Sequence, residues 1–238
     1  MKVDILAIGA HPDDVELSCG GTLAKEIAAG KNVAILDLTK GELGTRGNAE
    51  IRLKEATKAA EILGVTARYN LDFADGFFKN NRKHQEKIIA YIRDLQPDMV
   101  LCNATEDRHP DHGRAAALVL ESCFLSGLQK VETSFKGNAQ HAWRPKQLYH
   151  YIQWNNATPD FVVDISNHIE VKVAAVQAYD SQFYKPNSTE PGTPISTQNF
   201  LDSITYRAAD LGRVIGADYA EGFTASRLVG VNAISDLI

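Results

Sequence analysis

The sequence predicts an α/β fold in which a doubly wound, mostly parallel β-sheet carries helices on both faces. Apolar runs of strand length alternate with segments of helical composition, an order typical of parallel sheets. The runs are almost continuously apolar, which indicates strands that are buried on both faces. A chain of 238 residues suits one domain of this class. We therefore expect residues 1–238 to form a single domain.

The first half of the chain contains the more regular of the predicted elements. Apolar strand-length runs are followed by helical segments, and Gly30, Gly64 and Pro97 mark the ends of three of the predicted helices. In chain order we expect strand 3–8, helix 22–29, strand 32–39, helix 49–63, strand 69–73, helix 84–95, strand 98–103 and helix 113–124.

The second half of the chain is less regular. Residues 147–153 and 161–165 have the apolar content of strands, and residues 169–179 and 200–215 have the composition of helices. Between these two helices, residues 186–198 are rich in Pro, Gly, Ser and Thr, and the segment is longer than a plain connection requires. We expect a lid, an assembly contact or a mobile loop there.

Polar side chains cluster in two short turns that follow the first and fourth predicted strands. The turn at residues 9–14 contains His11, Asp13 and Asp14, and the turn at residues 108–112 reads Arg-His-Pro-Asp-His. In a doubly wound sheet these two strands flank the point where the strand order reverses, and ligands bind outside the carboxyl ends of the strands. We therefore expect both turns to line one cleft.

The two turns supply the side chains that a catalytic zinc site uses. Such sites combine three ligands from His and Asp or Glu with an open position for water. His11, Asp14 and His112 would provide two imidazoles and one carboxylate. Asp13 would remain as a general base beside the bound water, whose pKa the metal lowers to about 7.

His109 precedes His112 in the second turn and could act from the opposite side as an imidazolium or a proton donor. Asp111 could hydrogen-bond His109 and keep it protonated and oriented. An alternative interpretation treats each turn as structural, because Asp after Pro is common in turns and Asp13 or Asp14 could cap the following helix. The pairing of two such turns favours a functional site.

Three arginines fall near the expected cleft and could bind an anionic group of a substrate through their paired N–H donors. They are Arg46, Arg52 and Arg108. For each one alone, a solvated position or a helix ion pair, such as Arg52 with Glu55 or Glu50, is the simpler interpretation. If they do line the cleft, they predict a negatively charged substrate.

The composition argues against several other partners. The net charge is −5 and no basic stripe is present, so we expect no nucleic-acid partner. A helix that crosses a bilayer needs about 20 apolar residues, and every apolar run of this chain is much shorter. The sequence also has no signal-peptide pattern, so we expect no membrane contact. The three cysteines have no metal-ligand spacing, and we interpret them as reduced residues of a cytoplasmic protein.

The two turns together resemble the signature of the LmbE-like deacetylases, also called the PIG-L superfamily. That signature is an A-H-P-D-D turn followed later by an H-P-D-H turn, here residues 10–14 and 109–112. Within the superfamily the chain most resembles the deacetylases of bacillithiol biosynthesis, which remove acetate from N-acetylglucosaminyl malate. The supporting stretches run over nearly the whole chain: DILAIGAHPDDVELSCGGTLAK, DLTKGELGTRG, RLKEATKAAEILG, EDRHPDHGRAA, PDFVVDIS, AYDSQF and YAEGF.

The resemblance implies a Rossmann-like fold, a homo-oligomer (trimer or hexamer) and a small-molecule N-acetyl sugar as substrate. It also implies that Zn²⁺, or another divalent metal such as Fe²⁺, binds to His11, Asp14 and His112. In members of the superfamily the residue that matches Asp13 acts as the base.

The resemblance further implies that His109 stabilises the oxyanion or protonates the leaving amine, with Asp111 behind it. In the related mycothiol enzymes a tyrosine two residues before this His helps to hold the oxyanion. Here that position is Asp107, so the residue that takes this role is unassigned.

Two other functions use parts of the same pattern. A non-haem Fe(II) oxygenase also binds its metal through two His and one carboxylate, but it would leave Asp13 and His109 without a role. A nucleotide-binding module would suit the sheet, with Asp37 on the ribose. However, the first turn lacks G-x-G-x-x-G, and its carboxylates would repel a pyrophosphate. Metal-dependent amide hydrolysis is therefore the leading hypothesis.

Overall fold

The computed structural model describes residues 1–238 and confirms the α/β fold. The strands are β1 (Ile5–Gly9), β2 (Val33–Thr39), β3 (Ala67–Phe73), β4 (Met99–Cys102), β5 (Ser134–Phe135), β6 (Asn138–Ala139), β7 (Gln147–Tyr151), β8 (Phe161–Asp164) and β9 (Ala220–Ala225). The helices are α1 (Asp14–Ala28), α2 (Ala49–Leu63), α3 (Arg82–Leu95), α4 (Pro110–Ser126), α5 (Ile169–Gln177) and α6 (Gln198–Val214). Short 3₁₀ segments occur at Ser166–His168 and Ile234–Asp236.

The main sheet has the strand order β3-β2-β1-β4-β7-β9-β8, and β5 with β6 forms a separate two-stranded sheet. Neighbouring strands from β3 to β7 are parallel, whereas β9 runs antiparallel to both β7 and β8. β1 pairs with β2 on one side and with β4 on the other, so the strand order reverses between β1 and β4. The predicted crevice between these two strands is therefore confirmed.

Burial on both faces explains why the parallel strands are continuously apolar. Successive residues of β1 point to opposite sides of the sheet, so Leu6 and Ile8 pack with α3 and α4, while Ile5 and Ala7 pack with α1 and α5. A third apolar cluster joins α2, α5 and α6 around Tyr179. With both faces covered by helices, the loops at the carboxyl edge of the sheet are the place where polar side chains can meet.

Helix α1 begins at Asp14, earlier than the predicted start at residue 22. The helix is kinked at Cys19 (φ −139°, ψ 16°), and Gly20 and Gly21 therefore lie inside it rather than at its beginning. Gly21 is needed for close packing, because a Cβ atom there would come within 2.6 Å of the Ile165 side chain. Two consecutive glycines lower helix propensity, so composition alone conceals the first turns of α1.

Strand β9 and the β5–β6 hairpin are absent from the predicted elements. The sequence of β9, AEGFTA, contains too few apolar residues to indicate a strand, yet β9 lies between β7 and β8 in the sheet. Its Gly222 permits close packing, since a Cβ atom would meet Ile152 at 3.0 Å and Leu211 at 3.2 Å. Helix α4 also begins earlier than predicted, at Pro110, because proline suits the first helical position.

The segment predicted as a polar loop contains no helix or strand between Pro186 and Thr197. Thr197 then caps α6 by accepting a hydrogen bond from the Phe200 N–H at 3.1 Å. Ile195 of the loop and Phe200 of α6 line the same cavity as His11, so both segments reach the carboxyl edge of the sheet. None of the helices combines the length and the apolar composition that crossing a bilayer requires.

Candidate active site

The two polar turns meet at the carboxyl edge of the sheet. β1 and β4 are paired in register, with Ala7 opposite Leu101, so the residues that follow the two strands lie side by side. The Asn103 side chain links the turns. Its Oδ1 accepts a hydrogen bond from the Ala10 N–H at 2.9 Å, and its Nδ2 donates to Asp14 Oδ2 at 2.9 Å. Strand pairing thus brings together residues 93 positions apart.

Asp13 and Asp14 have different partners, and the backbone of Asp13 has a positive φ (φ 113°, ψ −25°). Few non-glycine residues adopt a positive φ, and Asp is among those that tolerate it. The Asp14 carboxylate faces the imidazoles of His11 and His112. The Asp13 carboxylate instead accepts a hydrogen bond from Arg52 Nη2 at 3.1 Å, and Arg52 also donates to a carbonyl of the same turn.

Asp14 is the centre of the polar cluster. Its Oδ2 lies 3.5 Å from His11 Nδ1, and its Oδ1 lies 3.2 Å from His112 Nε2. Gln153 Nε2 donates to Oδ1 at 3.1 Å, and the His11 N–H donates to Oδ2 at 3.0 Å. Burial alone would raise the pKa of Asp14, but the charge of His112 and hydrogen bonds from both imidazoles lower it well below its usual value. Asp14 is therefore ionised.

Each of the two imidazoles is held on its other side by carboxylates. His11 Nε2 lies 3.0 Å from Asp75 Oδ1 and 3.3 Å from Asp111 Oδ2. His112 Nδ1 lies 2.5 Å from Asp107 Oδ2. A carboxylate on one ring nitrogen fixes the orientation of the imidazole and leaves the other nitrogen for a metal. In both rings that other nitrogen faces the central carboxylate.

The spacing of these atoms fits a divalent metal. With zinc–ligand bonds of about 2.0–2.1 Å, two ligands of a tetrahedral ion are about 3.3 Å apart. The imidazole–carboxylate distances at Asp14 are close to that value, with 3.5 Å from His11 Nδ1 to Oδ2 and 3.2 Å from His112 Nε2 to Oδ1, so the two imidazoles face different oxygens of the carboxylate. The nitrogen and oxygen donors of His11, Asp14 and His112 suit Zn²⁺ and also Fe²⁺. The donor set therefore agrees with the metal that the sequence predicts, without selecting between the two ions.

Two other groups of side chains bring potential ligand atoms within 4.8 Å of one another. One group joins His109 to His11 and His112, and the other joins Asp75 and Asp111 to His11. In the second group the two carboxylates already accept backbone N–H groups at 2.9 and 2.8 Å. These partners suit carboxylates that orient an imidazole better than carboxylates that bind a metal. His109 is thus the strongest rival for the third ligand position.

Metal affinity should increase with pH. Burial alone would lower the pKa of both imidazoles, but Asp14 and Asp107 raise the pKa of His112 to about 9. Hydrogen bonds to carboxylates likewise raise the pKa of His11 well above its ordinary value. A protonated imidazole has no lone pair for a metal, so a proton must leave for each nitrogen that binds.

We expect the affinity for Zn²⁺ to rise between pH 6 and pH 8 by about tenfold per pH unit for each proton released. Competition with a chelator of known, pH-corrected affinity measures this dependence. An affinity that does not change over this range would contradict the assignment of the two imidazoles as ligands.

His109 caps α4, and its ring packs against both other imidazoles. Its Nδ1 accepts the Asp111 N–H at 3.2 Å, so Nε2 carries the proton of the neutral ring. The ring centroid lies 4.7 Å from that of His11 and 5.2 Å from that of His112. Burial and the positive charges of these imidazoles lower the pKa of His109. The cavity is therefore lined by a neutral imidazole that can donate a hydrogen bond.

The predicted hydrogen bond between the Asp111 carboxylate and the His109 ring is wrong. Asp111 Oδ2 accepts a hydrogen bond from the Gly76 N–H at 2.8 Å and lies 3.3 Å from His11 Nε2, while Oδ1 accepts from Arg114. His109 caps the helix, so its Nδ1 is already used by the backbone N–H of Asp111. The Asp111 carboxylate therefore orients His11 instead.

Asp13 differs from Asp14 in its tendency to hold a proton. Burial raises the pKa of Asp13 to about 7, the charge of Asp14 acts in the same direction, and the Arg52 guanidinium opposes both. Neighbouring carboxylates whose pKa values are shifted in opposite directions are typical of acid–base sites. Asp14 suits a permanently ionised ligand, whereas Asp13 suits a base that exchanges a proton near neutral pH.

Two of the three predicted substrate arginines line the cavity. Arg52 does so, but its guanidinium is paired with Asp13 rather than with Glu50 or Glu55. Arg108 is exposed, makes no ion pair with the protein, and lies 4.4 Å from the centroid of the Trp154 ring. Of the three, Arg108 is therefore the one whose N–H donors are free for a ligand.

Arg46 does not line the cavity. Its guanidinium donates to backbone carbonyls of Phe183, Glu190 and Pro191 at distances of 3.5, 3.2 and 2.6 Å. Gln182 returns a hydrogen bond to the Arg46 carbonyl at 2.9 Å. The hydrogen bonds of Arg46 therefore connect the loop that follows β2 with the segment between α5 and α6. These contacts give no support to a role of Arg46 in substrate binding.

One cavity of about 390 Å³ contains the polar cluster. The loops after β1, β2, β3 and β4 form its polar side. Helix α6 and strand β9 form the opposite side, where the lining includes Phe200, Ile204, Leu211 and Ala220. The volume and the mixture of polar and apolar walls are those of a small-molecule site.

The family relationship follows from comparison with known proteins. The family model for PIG-L, described as GlcNAc-PI de-N-acetylase, matches residues 6–123, which include both turns. The diacetylchitobiose deacetylase of Thermococcus kodakarensis is 34% identical over 230 residues, which cover 92% of this chain and 81% of that protein. This chain belongs to the PIG-L family. The superfamily that the two turns predict is therefore confirmed.

Solved structures share the fold of this PIG-L protein. The conserved protein TT1542 from Thermus thermophilus superposes with a TM-score of 0.85 at 35% identity and covers 97% of this chain and 98% of that chain. The N,N'-diacetylchitobiose deacetylase from Pyrococcus horikoshii, in complex with its inhibitor MPG, gives a TM-score of 0.77 at 26% identity. That comparison covers 99% of this chain and 88% of that chain.

Several residues of the site in this PIG-L protein are not among the predicted ones. Asp75 follows β3 just as the two turns follow β1 and β4, so the carboxyl-edge rule could have identified it. Gln153 follows β7 in the same way. Asp107, unassigned by the resemblance, orients His112. Arg207 lines the cavity from α6, where no motif in the sequence marks it.

Proposed function

We propose that this protein is a divalent-metal-dependent amide hydrolase that removes the acetyl group from an N-acetylglucosamine conjugate. The arrangement around Asp14 carries the proposal. Two imidazoles, each oriented by carboxylates, face this carboxylate, and Asp13 with its raised pKa lies beside it in the same cavity. Membership of the PIG-L family and similarity to diacetylchitobiose deacetylases support an N-acetyl sugar as the substrate.

His11, Asp14 and His112 would hold the metal, which when bound polarises a carbonyl and lowers the pKa of water. Asp13 accepts the proton that the water loses as its oxygen bonds to the acetyl carbon. His109, a neutral imidazole with its proton on Nε2, donates a hydrogen bond to the carbonyl oxygen as that oxygen becomes negative. Asp13 then returns its proton to the amine nitrogen as the C–N bond breaks, which yields acetate and a free amine.

The finer substrate that we propose is N-acetylglucosaminyl malate, the acetylated intermediate of bacillithiol biosynthesis. Arg108 supports an anionic substrate because its guanidinium lines the cavity without an ion-pair partner. Each malate carboxylate can accept two parallel N–H donors from an arginine. The alternative is a neutral substrate such as diacetylchitobiose, which has no anionic group for this side chain.

A substrate panel tests the proposal. The protein is loaded with Zn²⁺ or Fe²⁺, its metal content is measured, and release of free amine is followed with three N-acetyl sugars. We expect kcat/KM for N-acetylglucosaminyl malate to exceed that for the methyl glycoside of N-acetylglucosamine by about tenfold or more. Diacetylchitobiose is the third substrate. Equal kcat/KM values for the malate and methyl glycosides would contradict malate as the preferred aglycone. If none of the three sugars released a free amine, the proposed deacetylase activity itself would be wrong.

A further inference from the structure

Arg207 is a cavity-lining arginine whose donors have no protein partner. It lies on α6, is half-buried and lines the cavity. It forms neither a hydrogen bond nor an ion pair with the protein, and burial lowers its pKa, with only the charge of Asp107 and of Tyr206 opposing this effect. A guanidinium has five N–H donors, and those of Arg207 face the cavity without an acceptor from the protein. The donors of Arg207 are therefore available to a ligand in the cavity.

Other buried arginines of the chain have their acceptors within the protein. Arg52 is paired with Asp13, and Arg68 donates to Asp37 Oδ1 and Oδ2 at 2.8 and 2.7 Å. Arg93 donates to backbone carbonyls between α4 and β5. These contacts are what a structural arginine requires. Their absence at a half-buried position inside the cavity separates Arg207 from the arginines that stabilise the fold.

Asp107 is the acidic side chain whose charge acts on Arg207, but its oxygens are already engaged. Its Oδ2 lies 2.5 Å from His112 Nδ1, and its Oδ1 accepts the Asn155 N–H at 2.8 Å. Asp107 therefore contacts the proposed metal ligand His112 but forms no ion pair with Arg207.

Aromatic side chains border the same part of the cavity. Trp154 stacks on Phe200 with ring centroids 5.5 Å apart, and the guanidinium of Arg108 lies 4.4 Å from the centroid of the Trp154 ring. Phe200, Ser203 and Arg207 recur at helical spacing on one face of α6, and all three line the cavity. The wall thus combines flat apolar surfaces, which suit a sugar ring, with two guanidinium groups that have no ion-pair partner.

We propose that Arg207 binds an anionic group on the aglycone of the substrate and thereby determines specificity. The inference rests on the proposed function, since it assigns one further contact to the same substrate. A carboxylate and a phosphate share the required chemistry, because either one can accept two parallel N–H donors from the guanidinium fork. Arg207 is new to the set of candidate substrate residues, and it approaches the substrate from α6 rather than from the loops after the strands.

Ligand binding tests this assignment independently of turnover. Metal-loaded wild type, Arg207→Gln and Arg207→Lys are titrated calorimetrically with L-malate and, separately, with inorganic phosphate. We expect binding of at least one anion to weaken about tenfold or more in Arg207→Gln, with a smaller loss in Arg207→Lys, which keeps the charge but not the fork. Arg213→Gln is the matched control, since Arg213 lies on the same helix in an exposed ion pair with Asp210.

Kinetics supply the second readout. For Arg207→Gln, KM with N-acetylglucosaminyl malate or N-acetylglucosamine 1-phosphate should rise about tenfold with little change in kcat, while both constants for the methyl glycoside stay at wild-type values. The anion that shows the larger loss identifies the preferred group. Equal losses on charged and neutral glycosides would make Arg207 a structural residue and overturn the assignment.

The binding and kinetic arms separate this inference from the proposed function. Wild type that binds an anion through Arg207 but releases no amine from any sugar would overturn deacetylation and keep the anion site. Wild type that releases amine, with anion binding absent or unchanged in Arg207→Gln, would keep deacetylation and overturn the anion site. Thermal unfolding of each variant shows whether a loss reflects damage to the fold.

Discussion

The Asp13→Asn protein should retain its metal and lose about 10²–10⁴ in turnover, the usual contribution of a general base. The substitution removes the proton-accepting carboxylate and keeps the size of the side chain. Asn also tolerates the positive φ of this position (113°), so the turn should keep its geometry. The measurement is kcat with the favoured N-acetyl sugar, together with the metal content of the same sample.

The pH profile provides a readout specific to the base. Asp13 accepts a proton only when ionised, so kcat/KM of the wild type should fall as the pH drops through the pKa of Asp13. Burial raises that pKa from 3.8 to about 7, and the positive charge of a bound metal would lower it, so the acidic limb should lie between these two values. Asp13→Asn should lack this limb.

Asp72→Asn is the matched control, because Asp72 also has a positive φ (53°) but lies on the surface in an ion pair with Lys40. It should have the activity and pH profile of the wild type. Full activity of Asp13→Asn would refute the general-base mechanism. Loss of metal from Asp13→Asn would instead move this carboxylate into the ligand set.

The central part of the fold could be predicted because burial on both faces leaves a simple signal. The apolar runs that contain β1, β2 and β4 indicate parallel strands, and the alternation with helices predicts a doubly wound sheet. In one common strand order of such sheets, the order reverses between the first and fourth strands, and the structure has this order. Once β1 and β4 are neighbours, the segments that contain His11 and His112 are expected at the same edge of the sheet, because each segment follows one of these strands. Two turns that are far apart in sequence therefore predict a single cluster of polar side chains.

The finer geometry of the site could not be predicted, because it depends on contacts between distant segments. Burial raises the pKa of Asp13, whereas the charge of His112 and hydrogen bonds from both imidazoles lower the pKa of Asp14. The sequence pattern reveals neither the burial nor these partners. Arg46 and Arg52 look alike in sequence. Only the structure shows that one holds a loop and the other pairs with a carboxylate.

The cavity residues on the α6 side could not be predicted from the sequence for a different reason. Arg207 follows no strand and belongs to no motif, and an arginine on an amphipathic helix is usually a solvated residue. Strand β9, which with α6 forms that wall of the cavity, is also absent from the predicted elements, because its sequence is short and contains Gly222. The rule that ligand-binding residues follow the carboxyl ends of parallel strands therefore does not predict Arg207, which lies on a helix.

Loss of metal should distinguish Asp14 and His112 from the polar residues around them. Asp14→Asn replaces a carboxylate with a neutral amide, which is a much poorer ligand, and His112→Ala removes the imidazole altogether. We expect both proteins to purify with little metal and to be inactive at metal concentrations that saturate the wild type. Asp107→Asn should have a milder effect, about 10–100-fold in metal affinity, because Asp107 orients His112 without binding the ion.

His109→Ala is the variant that decides between the competing ligand sets. The imidazoles of His11, His109 and His112 lie close enough to form a three-histidine site, so proximity alone does not exclude His109 as a ligand. If Asp14 completes the metal site, His109→Ala should keep full metal occupancy and lose turnover, because its Nε2–H stabilises the developing oxyanion. Metal content by mass spectrometry and kcat are measured on the same samples. A His109→Ala protein without metal, beside an Asp14→Asn protein that remains loaded, would assign the ion to the three histidines instead.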